Sequence, residues 1–280
     1  MRYLFRYWDV LEQKLKENRL FLFLDYDGTL ASISEIPEKA RLPKKTKDVL
    51  IELSRLARCR LAVVSGRSLM DIKNMVGIAG LIYIGNHGME IEGPKIRFRR
   101  PTTFGFRNAL QQIKEGLSKK LIAKKGVLIE DKNLTLSLHY RLANRNDTDL
   151  IKKVFKEITR PYLKTGEIKV GAGKKVLEIR PPVEWDKGKV ALWLLAREQL
   201  ESGDEEVQSI YIGDDSTDED AFAVLKNKGP TIFIGEGRQK NSCAQYYLKN
   251  TEEVVKLLQM ILKLRKAKLY ARAEKSKRAF

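Results

Sequence analysis

Apolar residues along the first half of the chain fall in short unbroken runs separated by helical patterns. Arg19 to Asp25 (RLFLFLD) is one such run, and its continuous apolar character predicts a buried parallel strand. A helical stretch follows from about Lys44 to Ala57, and Arg60 to Val64 (RLAVV) reads as a second strand. A short helix from Ser68 precedes a third strand near Leu81 to Ile84. This βαβαβ rhythm predicts a parallel sheet with helices on its faces.

Near Pro101 the rhythm changes. A helix is expected from about Thr102 to Lys124, followed by strands Gly126 to Glu130 and Leu134 to Leu142 around the turn-like Asp131-Lys132-Asn133. A second helix spans about Thr148 to Tyr162, and strands Glu167 to Val170 and Lys175 to Arg180 flank a Gly-Ala-Gly turn at 171–173. After Pro181-Pro182 the first rhythm returns. It gives a helix over about Lys187 to Gln199, a strand from Ser209 to Ile212, a helix from Asp218, strands Thr231 to Ile234 and near Tyr246 to Leu248, and a last helix from Thr251. The expected fold class is α/β: a Rossmann-like parallel-sheet core with an inserted α/β cap domain (αββαββ). Residues 1–103 and 182–280 would form the core and 104–181 the insertion.

Composition narrows the class. Hydrophobic residues make up 43% of the 280 and charged residues 32%, which suits a globular chain rather than a disordered one. No apolar run approaches the roughly 20 residues of a membrane span. The first ten residues, MRYLFRYWDV, hold no apolar stretch ending in a small-residue cleavage site, so no signal peptide is expected. Cys59 and Cys243 are too few for a disulfide framework, and a reduced, cytoplasmic setting is the simplest expectation. The net charge of +18 suits an anionic partner. From Leu262 to Phe280 there are eight Lys/Arg and one Glu. A solvated basic helix or frayed tail accounts for that segment.

The sharpest chemical signal is Asp25-Tyr26-Asp27-Gly28-Thr29, at the end of the first predicted strand. Open α/β sheets place their chemistry there. A carboxylate such as Asp25 can attack phosphorus and divide a hard hydrolysis into two easier steps. Asp27, two residues on and so on the same side of an extended chain, can protonate the departing alcohol and later activate water. Ser65-Gly66-Arg67 ends the second strand with a hydroxyl and backbone N–H groups suited to phosphate oxygens. Lys187 opens the helix after the insertion and can offset negative charge at Asp25. Gly213-Asp214-Asp215-Ser216-Thr217-Asp218 again follows a strand. Asp214, Asp215 and Asp218 facing Asp25 would repel one another without a cation, and oxygen-only ligands suit magnesium. An acidic helix N-terminus, favoured by the helix dipole, is the plainer account of Asp218.

In Leu134 to Leu142, Thr135, Ser137, His139 and Arg141 alternate with apolar residues and share one face. A solvent face explains that pattern, as does a sugar-binding one. Paired carboxylates and donors suit sugar hydroxyls, and Arg141 can meet phosphate. His87, between Gly85 and Gly88 beside Asn86 at a strand's end, is a candidate substrate contact.

In order and spacing, DYDGT, SGR, Lys187 and GDDSTDED resemble the haloacid-dehalogenase phosphatase superfamily. More narrowly, about residues 20–258 resemble the trehalose-6-phosphate phosphatase family. The pieces that carry this are LDYDGTL, VSGR, Gly85-Asn86-His87-Gly88, Ile129-Glu130-Asp131-Lys132, His139-Tyr140-Arg141, the VLEIRP run around Glu178, Asp186-Lys187-Gly188 and GDDSTDEDAF. The resemblance implies a metal held by Asp25, the Asp27 backbone carbonyl and Asp214, with Asp215 and Asp218 in support. It also implies sugar contacts from Glu130, Lys132 and Glu178. Asp186 departs from the asparagine expected there, which puts the availability of Lys187 in question.

The expected function is hydrolysis of a sugar phosphate, trehalose 6-phosphate first, with Mg2+. A phosphatase for sucrose phosphate or a glycosyl-phosphoglycerate is the nearest rival, since the cap sets the substrate. A nucleic-acid- or membrane-binding role rests only on the basic C-terminal segment, and no nucleic-acid partner is expected.

Overall fold

The computed structural model describes residues 1–34, 36, 39–236 and 241–278, with side chains described through Lys268. Two compact units divide the chain: Met1–Arg97 with Trp185–Phe280, and Phe98–Glu184.

The elements run in chain order as follows. β1 (Arg2–Tyr3) and α1 (Trp8–Glu17) precede β2 (Arg19–Asp25), α2 (Lys44–Ser54), β3 (Cys59–Val64), α3 (Leu69–Val76), β4 (Ile82–Gly85), β5 (Glu90–Gly93) and β6 (Ile96–Arg99). The second unit holds α4 (Phe104–Leu121), β7 (Leu128–Asp131), β8 (Leu136–His139), α5 (Thr148–Lys164), β9 (Lys169–Gly173) and β10 (Val176–Arg180). The chain returns with α6 (Lys187–Glu201), β11 (Val207–Gly213), α7 (Glu219–Leu225), β12 (Thr231–Ile234), β13 (Tyr246–Leu248) and α8 (Thr251–Arg278).

The large sheet runs β1-β13-β12-β11-β2-β3-β4-β5-β6. Neighbours are parallel from β1 through β4, and β5 is antiparallel to β4. β2 lies inside it, buried on both faces. Leu20, Leu22 and Leu24 join an apolar cluster with Leu61, Val63, Ile210 and Ile212. Phe21 and Phe23 take the other face by the two-residue period. Their rings stack 4.1 Å apart, and Phe23 stacks on Tyr211 at 6.2 Å. From β2 the chain proceeds through α2 to one side, and from β11 through α7 to the other. The strand order therefore reverses between β2 and β11, which opens a crevice at their carboxyl ends. Asp25 ends β2, and Asp214 follows β11.

The second unit's sheet is antiparallel, in order β7-β8-β10-β9. α4 presents Phe106, Ala109, Leu110, Ile113, Leu117 and Leu121, a helix-period stripe. This stripe packs with Ile151, Val154 and Phe155 of α5 against Leu136, Leu138 and Ile179 of the sheet.

Several sequence expectations need correction. Gly171-Ala172-Gly173 is strand, paired residue by residue with β10, and the turn falls on Lys174-Lys175, where Lys175 takes φ +67°. Glycine suits a turn, but here the ladder of β10 holds it extended. β8 covers only Leu136–His139, so Thr135 and Arg141 lie outside it. β1, α1 and the pair β5 and β6 were not anticipated. β5 (EIEG) and β6 (IRFR) are short and charged, with little apolar signal to read.

The basic segment from Leu262 is described only in part, since the side chains after Lys268 and residues 279–280 lie outside the described residues. Within it, Arg265 is buried rather than solvated. Its guanidinium donates to the carbonyls of Leu15 at 3.0 Å, Asn18 at 2.8 Å and Arg58 at 3.0 Å. It thereby satisfies acceptors at the C-terminal end of α1. Among the described residues no helix is long and apolar enough to cross a membrane.

Candidate active site

Lys187 is the first residue of α6, and Asp186 caps that helix by accepting the N–H of Lys189 at 2.8 Å. The Asp186 carboxylate is thus engaged at the cap. The Lys187 ammonium instead donates to Asp25 Oδ1 at 2.7 Å and Asp218 Oδ1 at 2.8 Å, and lies 4.0 Å from Asp215. All of these except Asp215 are buried.

Asp218 is saturated with donors. Oδ1 accepts the Tyr211 hydroxyl at 2.8 Å as well as Lys187, and Oδ2 accepts the backbone N–H groups of Asp214 and Asp215 at 3.1 and 3.2 Å. Asp215 Oδ1 takes the N–H and hydroxyl of Thr217 at 2.8 and 2.7 Å. Thr217 lay within the GDDSTDED motif without an assigned role, and Tyr211 carried no motif. The only trace of Tyr211 was a polar atom within the apolar strand SIYI, and a buried tyrosine hydroxyl needs a partner.

Charge in the crevice is unbalanced. Burial pushes the Asp25 carboxyl well above the usual carboxylate range; Lys187 opposes this and Asp218, Asp214 and Asp215 add to it. Burial likewise pushes Asp218 up to about 7 against the pull of Lys187. Desolvation works against the charge on Lys187, yet Asp218, Asp25 and Asp215 hold its ammonium well above the ordinary lysine value. Burial also opposes ionisation of Asp215, but Lys187 and the Thr217 hydrogen bonds hold it well below.

Asp25, Asp214 and Asp218 each offer an oxygen, all within 4.8 Å of one another. An all-oxygen donor set with excess negative charge fits a hard divalent cation. The cradle depends on Gly28. Its φ is +92°, and a Cβ there would stand 2.1 Å from an Asp214 carboxylate oxygen. Any other residue would displace that carboxylate.

The remaining core motifs interlock. Arg67 forks onto Asp27, Nε to Oδ2 at 2.7 Å and Nη2 to Oδ1 at 2.6 Å, with its guanidinium 5.7 Å from the Tyr26 ring centre. Ser65 Oγ accepts the Arg67 N–H at 3.1 Å, and Ser65 O accepts the His87 N–H at 3.0 Å. Asn86 donates through its backbone to Arg67 O at 2.7 Å and through Nδ2 to Glu90 at 2.8 Å. Asn86 and His87 both sit at positive φ, +48° and +55°, a strained pair of the kind found at functional turns. The turn lays the His87 imidazole over Gly66, where a Cβ would come within 2.5 Å of Nε2.

In the second unit, strand register sets Glu130, Ser137 and Glu178 in one row across β7, β8 and β10. They share the face opposite Ile129, Leu138 and Ile179. His139 Nε2 lies 2.8 Å from Glu130 Oε2. Lys132 Nζ lies 3.3 Å from Glu178 Oε1 and 3.8 Å from Glu130 Oε2. Arg141 lies beyond the end of β8 and donates to Lys174 O at 2.8 Å.

A largely parallel α/β sheet with a carboxylate and lysine crevice at its strand reversal has the fold of haloacid dehalogenase-like proteins. A Bacillus subtilis haloacid dehalogenase-like hydrolase shares the fold, with a TM-score of 0.53 over 85% of this chain and 98% of its own at 15% identity. The profile of the trehalose-phosphatase family matches residues 23–252, and the chain belongs to that family. A probable trehalose-phosphate phosphatase D of Arabidopsis thaliana is 34% identical over 95% of this chain and 73% of its own length. A Mycobacterium tuberculosis trehalose-phosphate phosphatase is 36% identical over 76% of this chain and 53% of its own. Among solved structures, the C-terminal domain of the Candida albicans trehalose-6-phosphate phosphatase has a TM-score of 0.77 at 25% identity, covering 91% of this chain and 96% of that one.

Proposed function

We propose that this protein is a magnesium-dependent phosphatase that converts trehalose 6-phosphate to trehalose and phosphate through an aspartyl-phosphate on Asp25. The observation that carries the reading is the pairing of Asp25, at the end of β2, with Lys187 at 2.7 Å inside a cluster of carboxylates. Family membership supplies the substrate class.

In the first step an Asp25 carboxylate oxygen bonds to phosphorus, the bond from phosphorus to the sugar oxygen breaks, and Asp27 gives that oxygen its proton. In the second step Asp27 takes a proton from water, the water oxygen bonds to phosphorus, and the bond from Asp25 to phosphorus breaks. The Arg67 fork fixes the direction of Asp27 for both steps. Lys187, the Ser65 hydroxyl and the Gly66 N–H hold phosphate oxygens, and Asn86 and His87 line the same motif. Asp25, Asp214 and the Asp27 carbonyl would hold the metal, with Asp215 and Asp218 behind them. When bound, magnesium supplies the positive charge that lets an anionic carboxylate meet an anionic phosphate.

The insertion at 104–181 is the substrate-selecting domain in this reading. Glu130, Lys132 and Glu178 take sugar hydroxyls, with His139 and Arg141 as further contacts. What supports this is the polar row across its sheet.

The test is phosphate release from a panel of sugar phosphates with magnesium present. Trehalose 6-phosphate is expected to have the highest specificity constant. Preference for sucrose phosphate or a glycosyl-phosphoglycerate would reassign the substrate.

A further inference from the structure

Glu178 stands in the middle of the second unit's sheet, between Ser137 of β8 and Gly171 of β9. Its side chain is 8% exposed. A carboxylate buried to that degree must have its oxygens bonded, and Arg180, Lys132 and Ser137 are among its donors. Oε2 receives two short contacts from Arg180, Nε at 2.6 Å and Nη2 at 2.6 Å. Oε1 receives longer ones, from Lys132 Nζ at 3.3 Å and Ser137 Oγ at 3.4 Å.

Arg180 reaches Glu178 because it is two residues further along one strand and so on the same face. It passes beside Gly171 of β9. A Cβ built at Gly171 would stand 3.7 Å from the Arg180 Cζ and Nη2, so that space admits little beyond a methyl group. Gly171 thus leaves room beside the guanidinium that a side chain larger than alanine would crowd.

We infer that Arg180 is a positioning residue for sugar recognition: it anchors Glu178 through Oε2 and so sets where the carboxylate meets a sugar hydroxyl. This rests on the reading of Glu178 as a sugar contact. Two guanidinium nitrogens converging on one oxygen fix where Oε2 sits, with a geometry that a single ammonium does not reproduce. The sugar then meets an acceptor whose position is set in advance.

The experiment compares Arg180→Ala, Arg180→Lys, Glu178→Ala and the double alanine variant with the wild-type chain. The readout is the ratio of specificity constants for trehalose 6-phosphate and p-nitrophenyl phosphate, which has no sugar. Arg180→Ala is expected to lower that ratio about 10- to 100-fold, the scale of a misplaced contact group. Arg180→Lys should recover only part of the loss, and Gly171→Leu, which crowds that room, should reproduce it. In the Glu178→Ala background, Arg180→Ala should change the ratio less than about twofold, since its effect passes through Glu178. Independent losses that multiply in the double variant would overturn the inference, as would a wild-type ratio in Arg180→Ala. If Glu178→Ala itself keeps the wild-type ratio, the sugar-site reading fails and this inference fails with it.

Discussion

β2 and α6 each carry charge at both ends, and the two ends are built on opposite plans. Where β2 begins, Arg19 donates to Glu198 of α6 at 3.1 Å and to Glu205 at 3.3 Å. Arg60 meets Glu198 at 3.3 Å, and Arg58 meets Glu205 at 3.4 Å. Two carboxylates there face three guanidinium groups. Where β2 ends, the single ammonium of Lys187 serves Asp25, Asp218 and, more distantly, Asp215, with Asp214 in the same cluster. Both ends bury ionisable groups, so burial alone does not separate structure from function. The balance of charge does. Carboxylates that each meet more than one arginine hold elements together, whereas a buried negative excess calls for a cation to balance it.

The largest expected effect breaks the comparison at its reactive end. Asp25→Asn keeps the shape but removes the attacking charge, and turnover of trehalose 6-phosphate should fall by several orders of magnitude in a phosphate-release assay. Near-normal turnover would remove the aspartyl-phosphate proposal. Next in size is the cation. Excess chelator should abolish activity, added magnesium should restore it, and Asp214→Ala should raise the magnesium needed for half-maximal rate or abolish turnover. Full activity in chelator would show the acidic cluster to be structural, like the Glu198 end. Alanine at Glu130, Lys132 or Glu178 should cost about 1.5–3 kcal/mol with trehalose 6-phosphate, or roughly 10- to 100-fold. The loss with p-nitrophenyl phosphate should be much smaller. Equal losses on both substrates would move those residues into folding or chemistry.

The smallest effect sharpens the contrast, because the two ends should respond with opposite sign. The folded state holds the Asp25 pKa above its ordinary value. At neutral pH without metal, the ionised Asp25 therefore costs stability, and the cost grows as pH rises from the unfolded value toward the folded one. Asp25→Asn should raise the melting temperature in chelator by a few degrees. Glu198→Gln should lower stability by about 1–3 kcal/mol, below the figure for a fully buried pair because Arg19 and Arg60 are partly exposed. It should leave the turnover number within about twofold. Thermal melts of the two variants side by side would show it, and a shift of the same sign in both would erase the distinction.

The parallel sheet was legible in sequence because its strands are buried on both faces and read as unbroken apolar runs, RLFLFLD above all. Asp25, Lys187, Asp214 and Asp218 were legible because each sits at the end of an element in a short acidic or basic motif. Their partners were not. Tyr211 looks like any strand tyrosine until it is placed beside Asp218. The approach of His87 to Gly66 joins residues 21 apart through two loops that no periodicity describes. Gly171-Ala172-Gly173 reads as a turn because glycine's two uses, bending and making room, look alike in one dimension. Arg265 illustrates the converse: composition placed it in a solvated basic tail, while tertiary structure uses its guanidinium to tie α8 to the end of α1.

The most direct test of the central claim is to follow the phosphoryl group. Trehalose 6-phosphate labelled in its phosphate would be mixed with the magnesium-loaded enzyme, quenched in acid within one turnover, and the digested chain mapped for label. The account predicts an acyl-phosphate, labile to hydroxylamine, on the peptide that carries Asp25, and no label in Asp25→Asn. Label on a different residue, or undiminished label in Asp25→Asn, would contradict it.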